Sequence, residues 1–209
     1  MTSKLGILGS LSSKLFVFRT IEGPGEGFYK EKGSKFLGYA YPCSRIDEVK
    51  AHLDRLRKEN HGCVHVCYAY CLGSKKEDYR YSDDGEPSNS AGAPIYGQIK
   101  SFDLTNVLVA VVRYYGGTNL GVGGLINAYR TAAKGAFENA TIVEDEDRNE
   151  IELHFTYEAM PFVMNAVKAG NCRILHQDFE ENPRLKLSIP ESNAQLLLIL
   201  DKIEGVFRS

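Results

Sequence analysis

Five glycines fall within the nine residues from Gly116 to Gly124, and they separate two segments of opposite habit. Before them, residues 106–115 form a β-branched run of the kind that makes a buried strand. After them, residues 125–139 are rich in alanine and read as a helix. A chain that leaves a buried strand through glycines and enters a helix needs a backbone shape, or a close approach, that a Cβ would forbid. A helix start also presents N–H groups without intrahelical acceptors, with the positive end of the helix dipole behind them, which is a ready anion site. The alternative is that the glycines only let the loop turn and the helix pack closely. No Gly-Lys-Ser/Thr follows them, so the run is not a P-loop. No acidic residue ends a second strand about 20 residues on, so it is not a dinucleotide fingerprint. A bulky residue at Gly123 is expected to damage folding under either reading.

A second stretch is as informative: Ser82-Asp83-Asp84-Gly85-Glu86-Pro87-Ser88, running on to Ala91-Gly92-Ala93-Pro94-Ile95. Acidic residues in a loop holding glycine and proline commonly cap neighbouring amides and set a turn. They could instead serve as general base or bind Mg²⁺, and beside a glycine-rich helix start they would suggest phosphoryl transfer. No lysine stands where a phosphate clamp would need one. Binding is therefore the favoured activity and catalysis the alternative.

The chain of 209 residues is 43% apolar and 25% charged, ordinary for a globular protein of one large or two small domains. Five cysteines make an odd count without framework spacing, and no secretory signal opens the chain. Reduced thiols and a cytoplasmic protein are expected. The leader, residues 1–18, is too short and too polar to span a bilayer, so no membrane partner is expected. Net charge is −2. Residues 1–145 carry 18 Lys and Arg against 16 Asp and Glu, and residues 146–209 carry seven against 11. Any basic surface belongs to the first part and is local.

Two α/β segments follow one another. Residues 35–41 read as a short strand stopped by Pro42. Ser44 then stands as an N-cap ahead of an amphipathic helix with Ile46, Val49, Leu53 and Leu56 on one face, ending near Gly62. Residues 63–71 alternate, with Val64, Val66, Tyr68 and Tyr70 on one face and Cys63, His65, Cys67, Ala69 and Cys71 on the other, as in a fairly central strand. Cys63, His65 and Cys67 on one face could chelate zinc, but no paired C-x-x-C exists elsewhere, and buried thiols are the preferred reading. No metal or cofactor is called for. The charge run 144–147 marks a domain boundary between residues 1–143 and 148–209. Beyond it come a strand at 150–157, a helix at 161–169, strands at 173–179 and 184–189, and a helix at 191–203. That order is a split βαβ layout with a short or missing last strand after Gly205.

The two long motifs, with Ser34-Lys35-Phe36, His65-x-Cys67-Tyr68-Ala69, Arg113-Tyr114-Tyr115-Gly116-Gly117, Leu120-Gly121-Val122-Gly123-Gly124-Leu125 and Ala128-Tyr129, resemble the signature of the IMPACT family, in particular its bacterial two-domain members of YigZ type. The resemblance spans residues 28–143. It implies an α+β protein, with an N-terminal domain like the second domain of a small-subunit ribosomal protein. It implies also a C-terminal ferredoxin-like domain similar to the last domain of elongation factor G. A role near translation or its regulation follows, with RNA, the ribosome or a translation-associated protein as partner. Candidate contacts are Arg113, Tyr114, Gly116, Gly117, Gly121, Gly123, Gly124, Tyr129, Arg130, Asp83, Asp84 and Glu86, with aromatic rings to stack on bases. The chain departs from the pattern at Asn89-Ser90, where Gly-Thr is usual. It departs again at Asn119 and Asn127, where a lysine and an arginine are common, which removes two cations beside the glycines.

Overall fold

The computed structural model describes residues 17–208. They form an α+β protein of two compact units, Val17–Asp145 and residues 146–208. Residues 1–16 of the expected leader lie outside the described residues, and Val17 and Phe18 open the first strand.

The first unit runs β1 (Val17–Ile21), β2 (Gly25–Glu31), β3 (Ser34–Pro42), α1 (Ile46–Glu59), β4 (His65–Leu72), β5 (Asp78–Ser82), α2 (Gly92–Ser101), β6 (Val107–Tyr114), α3 (Gly121–Glu138) and β7 (Ile142–Glu146). Five strands make one sheet in the order β2-β3-β6-β4-β5, and every neighbouring pair is antiparallel. The β-branched strand β6 is central and buried from Val107 to Arg113, as its composition predicts. Both faces of this sheet are covered at β4, which is why that strand is apolar on both sides. One core holds Cys67, Ala69 and Cys71 of β4 with Ile95 and Ile99 of α2 and Leu125, Tyr129, Ala132, Ala136 and Phe137 of α3. The other holds Val66, Tyr70 and Leu72 of β4 with Val49, Leu53 and Leu56 of α1.

The alanines of α3 have a packing reason. A Cβ at Gly27 of β2 or at Gly38 of β3 would lie 2.3 Å from the carbonyl oxygen of Ala132, so helix and sheet meet backbone to backbone.

Three expectations need correction. The N-cap of α1 is Arg45, not Ser44, because Glu48 reaches back to accept from the amides of Ser44 (2.8 Å) and Arg45 (3.3 Å). Helix α3 starts four residues earlier than its alanine pattern indicates, inside the glycine run, where the first turn tolerates poor helix formers. Cys63 packs with the α1-side core while Cys67 packs with the α2/α3-side core, so these two thiols do not share a face. Within the charge run, residues Glu144 to Glu146 end β7, which pairs with β1.

The second unit runs β8 (Arg148–Phe155), α4 (Met160–Ala169), β9 (Arg173–Asp178), β10 (Arg184–Pro190), a 3-10 turn (Glu191–Asn193), α5 (Gln195–Leu200) and β11 (Val206–Arg208). Its antiparallel sheet has the order β11-β8-β10-β9. Leu153, Phe155, Leu185 and Leu187 of the sheet pack with Val163 and Val167 of α4 and Leu196 and Leu200 of α5. The last strand is present and short. The helix expected over 191–203 is instead a turn followed by the six-residue α5.

Candidate functional site

The loop between β5 and α2 carries the acidic motif. It opens with a tight turn in which the amide of Glu86 donates to the carbonyl of Asp83 at 2.9 Å. Its central residues, Asp84 (φ +45°) and Gly85 (φ +91°), both lie in the left-handed region, a conformation short polar residues and glycine tolerate.

Each carboxylate of the loop has a structural partner. Asp83 accepts from the amides of Asn89 (2.8 Å), Ala91 (2.9 Å) and Gly92 (2.8 Å), so it caps α2, whose own N-cap residue, Ala91, has no side-chain oxygen. Asp84 accepts the amide of Val66 at 2.7 Å and faces Arg57 at 3.4 Å, while its carbonyl accepts from His65 Nδ1 at 2.6 Å. That bond assigns the His65 ring proton to Nδ1. Glu86 is the most enclosed: its side chain is 4% exposed, and its Oε1 accepts from Arg113 Nη1 (2.5 Å) and from the Tyr129 hydroxyl (2.6 Å). Burial, then the neighbouring Cys67 and Glu86, push the Tyr129 hydroxyl far above the usual phenol range, so it stays a donor.

Arg113 stands opposite both Phe36 of β3 and His65 of β4 in the sheet register. Its guanidinium lies 5.4 Å from the Phe36 ring centre and 5.5 Å from that of Tyr115. It is buried, and its Nε has no hydrogen-bond partner among the described residues. A cavity of about 500 Å³ opens here, walled by Val64, His65, Glu86, Pro87 and Arg113 on one side. Tyr115, Asn119, Leu120, Gly121, Val122 and Leu125 complete the wall. The first turn of α3 forms part of this wall, with neither a side-chain cap at Leu120 nor an acidic residue to neutralise the dipole. Partial positive charge from the helix start and the Arg113–Glu86 ion pair therefore meet at one opening.

Of the residues singled out in the sequence, Glu86, Arg113 and Gly121 line this cavity, and Tyr129 supports it from the core. Asp83 and Asp84 hold the loop. Tyr114 points to the α1 side, where its hydroxyl donates to Asn60 Oδ1 at 3.0 Å. Gly116 is needed for close approach, since a Cβ there would lie 2.0 Å from the carbonyl carbon of Gly33. Gly117 (φ +84°) and Gly121 (φ +72°) take conformations that disfavour side chains. The expectation for Gly123 is overturned: nothing lies within 4 Å of a Cβ there, so a side chain has room. Gly124 meets only the Leu120 side chain at 3.0 Å. Arg130 is exposed and outside the cavity wall, so the structure does not bring it to the site. Sequence reasoning placed His65 on a strand without linking it to this site. The signal was its place in β4, the strand that pairs with β6 and sets it opposite Arg113.

A five-stranded antiparallel sheet with α1 on one face, α2 and α3 on the other, and an acidic loop bolted to a glycine-started helix defines the Impact N-terminal domain, whose family model matches residues 32–137. The chain belongs to the IMPACT family. It is 30% identical over 169 residues to an IMPACT family member of Haemophilus influenzae, covering 78% of this chain and 81% of the relative. It is 34% identical over 157 residues to the IMPACT family member in the pol 5' region of Thermus thermophilus, covering 75% and 84%. It is 27% identical over 161 residues to YigZ of Escherichia coli, covering 76% and 79%. A solved structure described as a hypothetical protein shares the fold across 92% of this chain and 96% of its own, with a TM-score of 0.67 and 23% identity. Among the described residues no helix is long and apolar enough to cross a membrane.

Proposed function

We propose that this chain acts by binding, without chemistry of its own, in translation or its regulation, and that its partner is RNA, free or within the ribosome. The observation that carries the reading is the cavity at the start of α3, where the uncapped helix start, the ring of Tyr115 and the Arg113–Glu86 pair line one opening. That combination suits a phosphate beside a base. Support comes also from the carboxylates: Asp83, Asp84 and Glu86 are held by amides, Arg57, Arg113 and Tyr129, which leaves the phosphoryl-transfer alternative without an unengaged base. The architecture fits the reading as well. We take residues 17–145 as akin to the second domain of a small-subunit ribosomal protein. The β11-β8-β10-β9 sheet with two helices we take as a ferredoxin-like domain akin to the last domain of elongation factor G.

Val122 supplies the test, because it is 53% exposed in the first turn of α3 and lines the cavity. An aspartate there suits the helix dipole, so melting should stay level or rise slightly, while a bound phosphate is repelled. RNA and ribosome association should weaken in Val122→Asp and become less salt-sensitive, and Arg130→Ala should bind as wild type. Equal binding by all three proteins would overturn the reading. ATP turnover abolished by Asp84→Asn would replace it with the enzymatic one.

A further inference from the structure

Helix α1 lies over β4 and β6 and stacks His52 on Tyr41 of β3, while Phe28, Lys30 and Lys35, toward the β2–β3 hairpin, stay exposed. Phe28 stands there opposite Leu37, and Lys30 opposite Lys35, so these four side chains share one face. Phe28 is 59% exposed. With Gly33, Lys35, Leu37, Tyr114 and Tyr115 it lines a second cavity, of about 490 Å³.

The lysines are the informative part. Like charges directly opposite across antiparallel strands repel, yet Lys30 and Lys35 are set that way, and Lys32 adds a third cation at the hairpin tip. All three are exposed, and none enters an ion pair with another described residue. Further along the strand the charge reverses at Glu26, opposite Tyr39, so the basic strip has a definite end. In a chain of net charge −2, this is a local surface shaped for an anion.

Tyr115 joins this flank to the site already described, since it is 48% exposed and lines both cavities. We infer that the two cavities form one track for single-stranded RNA. The strand enters at the start of α3, passes Tyr115, and lies on the β2–β3 hairpin with a base on Phe28 and phosphates on Lys30, Lys32 and Lys35. The inference rests on RNA being the partner. A single strand fits because its unpaired bases can stack on the exposed rings of Tyr115 and Phe28 while its phosphates meet the lysines.

Fluorescence anisotropy with a labelled mixed-sequence single strand and the matching duplex RNA, over a salt series, tests the track in the full chain. The Lys30→Ala/Lys35→Ala variant should flatten the slope of log affinity against log salt by about 1.4 for the single strand, two contacts at about 0.7 each. Its melting temperature should equal or exceed that of wild type, because a repulsion has been removed. Phe28→Ser should weaken single-strand binding about tenfold at an unchanged salt slope, and Phe28→Tyr should restore it. Wild-type affinity and slope in the lysine variant, with binding still weakened by Val122→Asp, would overturn the track and leave the α3 cavity standing. Equal affinity for duplex and single strand would overturn the assignment of a single strand. No RNA binding by the wild-type protein would overturn the track whatever the cavity's ribosome association shows.

Discussion

Replacing Glu86 by alanine separates a structural carboxylate from a catalytic or ligand-binding one. Its Oε1 is the acceptor for both Arg113 and the Tyr129 hydroxyl, and Glu86 and Arg113 are almost wholly enclosed. Removing one partner of a buried ion pair leaves an uncompensated charge and costs about 3–5 kcal/mol. The rings of Phe36 and Tyr115 return part of that to the guanidinium, about 0.5–2 kcal/mol, which points to the lower half of the range. The bond lost by Tyr129 is not to be added in full, because both donors share one oxygen. Amide hydrogen exchange reads the loss locally. Protection in β6 and α3 should fall by about two to three decades, at about 1.4 kcal/mol per decade, while β8 and β10, with their own core, keep theirs. Glu86→Gln should lose less, since its amide oxygen still accepts. Unchanged protection in Glu86→Ala would refute the structural role, and unchanged protection with lost RNA binding would make Glu86 a ligand contact.

Two further outcomes follow from the packing. Gly116→Ala should abolish stable folding, because its Cβ would fall within 2.0 Å of the Gly33 backbone, whereas Gly123→Ala should stabilise by about 0.5–1 kcal/mol, in open space within a helix; urea titrations of the two variants check the contrast. The thiol of Cys43 is pushed by burial from 9.0 up to about 12, and burial raises that of Cys67 further. Both stay protonated in the folded protein while the unfolded chain ionises. Their contribution to stability is therefore whole below pH 9 and declines as pH rises toward 12, by about 1.4 kcal/mol per unit per thiol. Cys43→Ala should flatten that alkaline limb in urea titrations across the pH range, and an unchanged limb would count against the buried thiol as its cause.

Much of the sheet was legible because burial writes itself into local composition. The run of Val107 to Val112 can only be an interior strand, and the alternation through Cys67 and Tyr70 correctly divides β4 between two cores. Helix α2 was not legible. Its first turn reads Gly92-Ala93-Pro94, and its cap, Asp83, lies too far upstream for a local pattern to show. The run at Glu144 to Glu146 has nothing apolar to mark it as a strand, yet it ends β7, whose pairing with β1 its charge does not disclose. The two motifs of the site could be found in the chain, but their joint could not. Glu86 meets Arg113 27 positions away and Tyr129 43 positions away, and only the folded sheet sets that register.

That joint bears on how the site works. A loop with no regular structure from Asp83 to Ala91 is fastened to α2 through Asp83, to β4 through Asp84, and to β6 and α3 through Glu86. The cost of ordering it is met when the protein folds, so a partner arriving at the cavity finds the His65, Pro87 and Arg113 wall already fixed. The opposite wall, at Tyr115 and Val122, is about half exposed and carries the groups that can adjust. A rigid wall facing an adaptable aromatic one favours recognition of a repeating backbone over one fixed small molecule, because phosphate can be held by the amides of the helix start while the stacked group varies. On this reasoning the glycines that begin α3 have two separable roles. Gly116 lets two backbones meet, and Gly121 lines the opening without a side chain to block it.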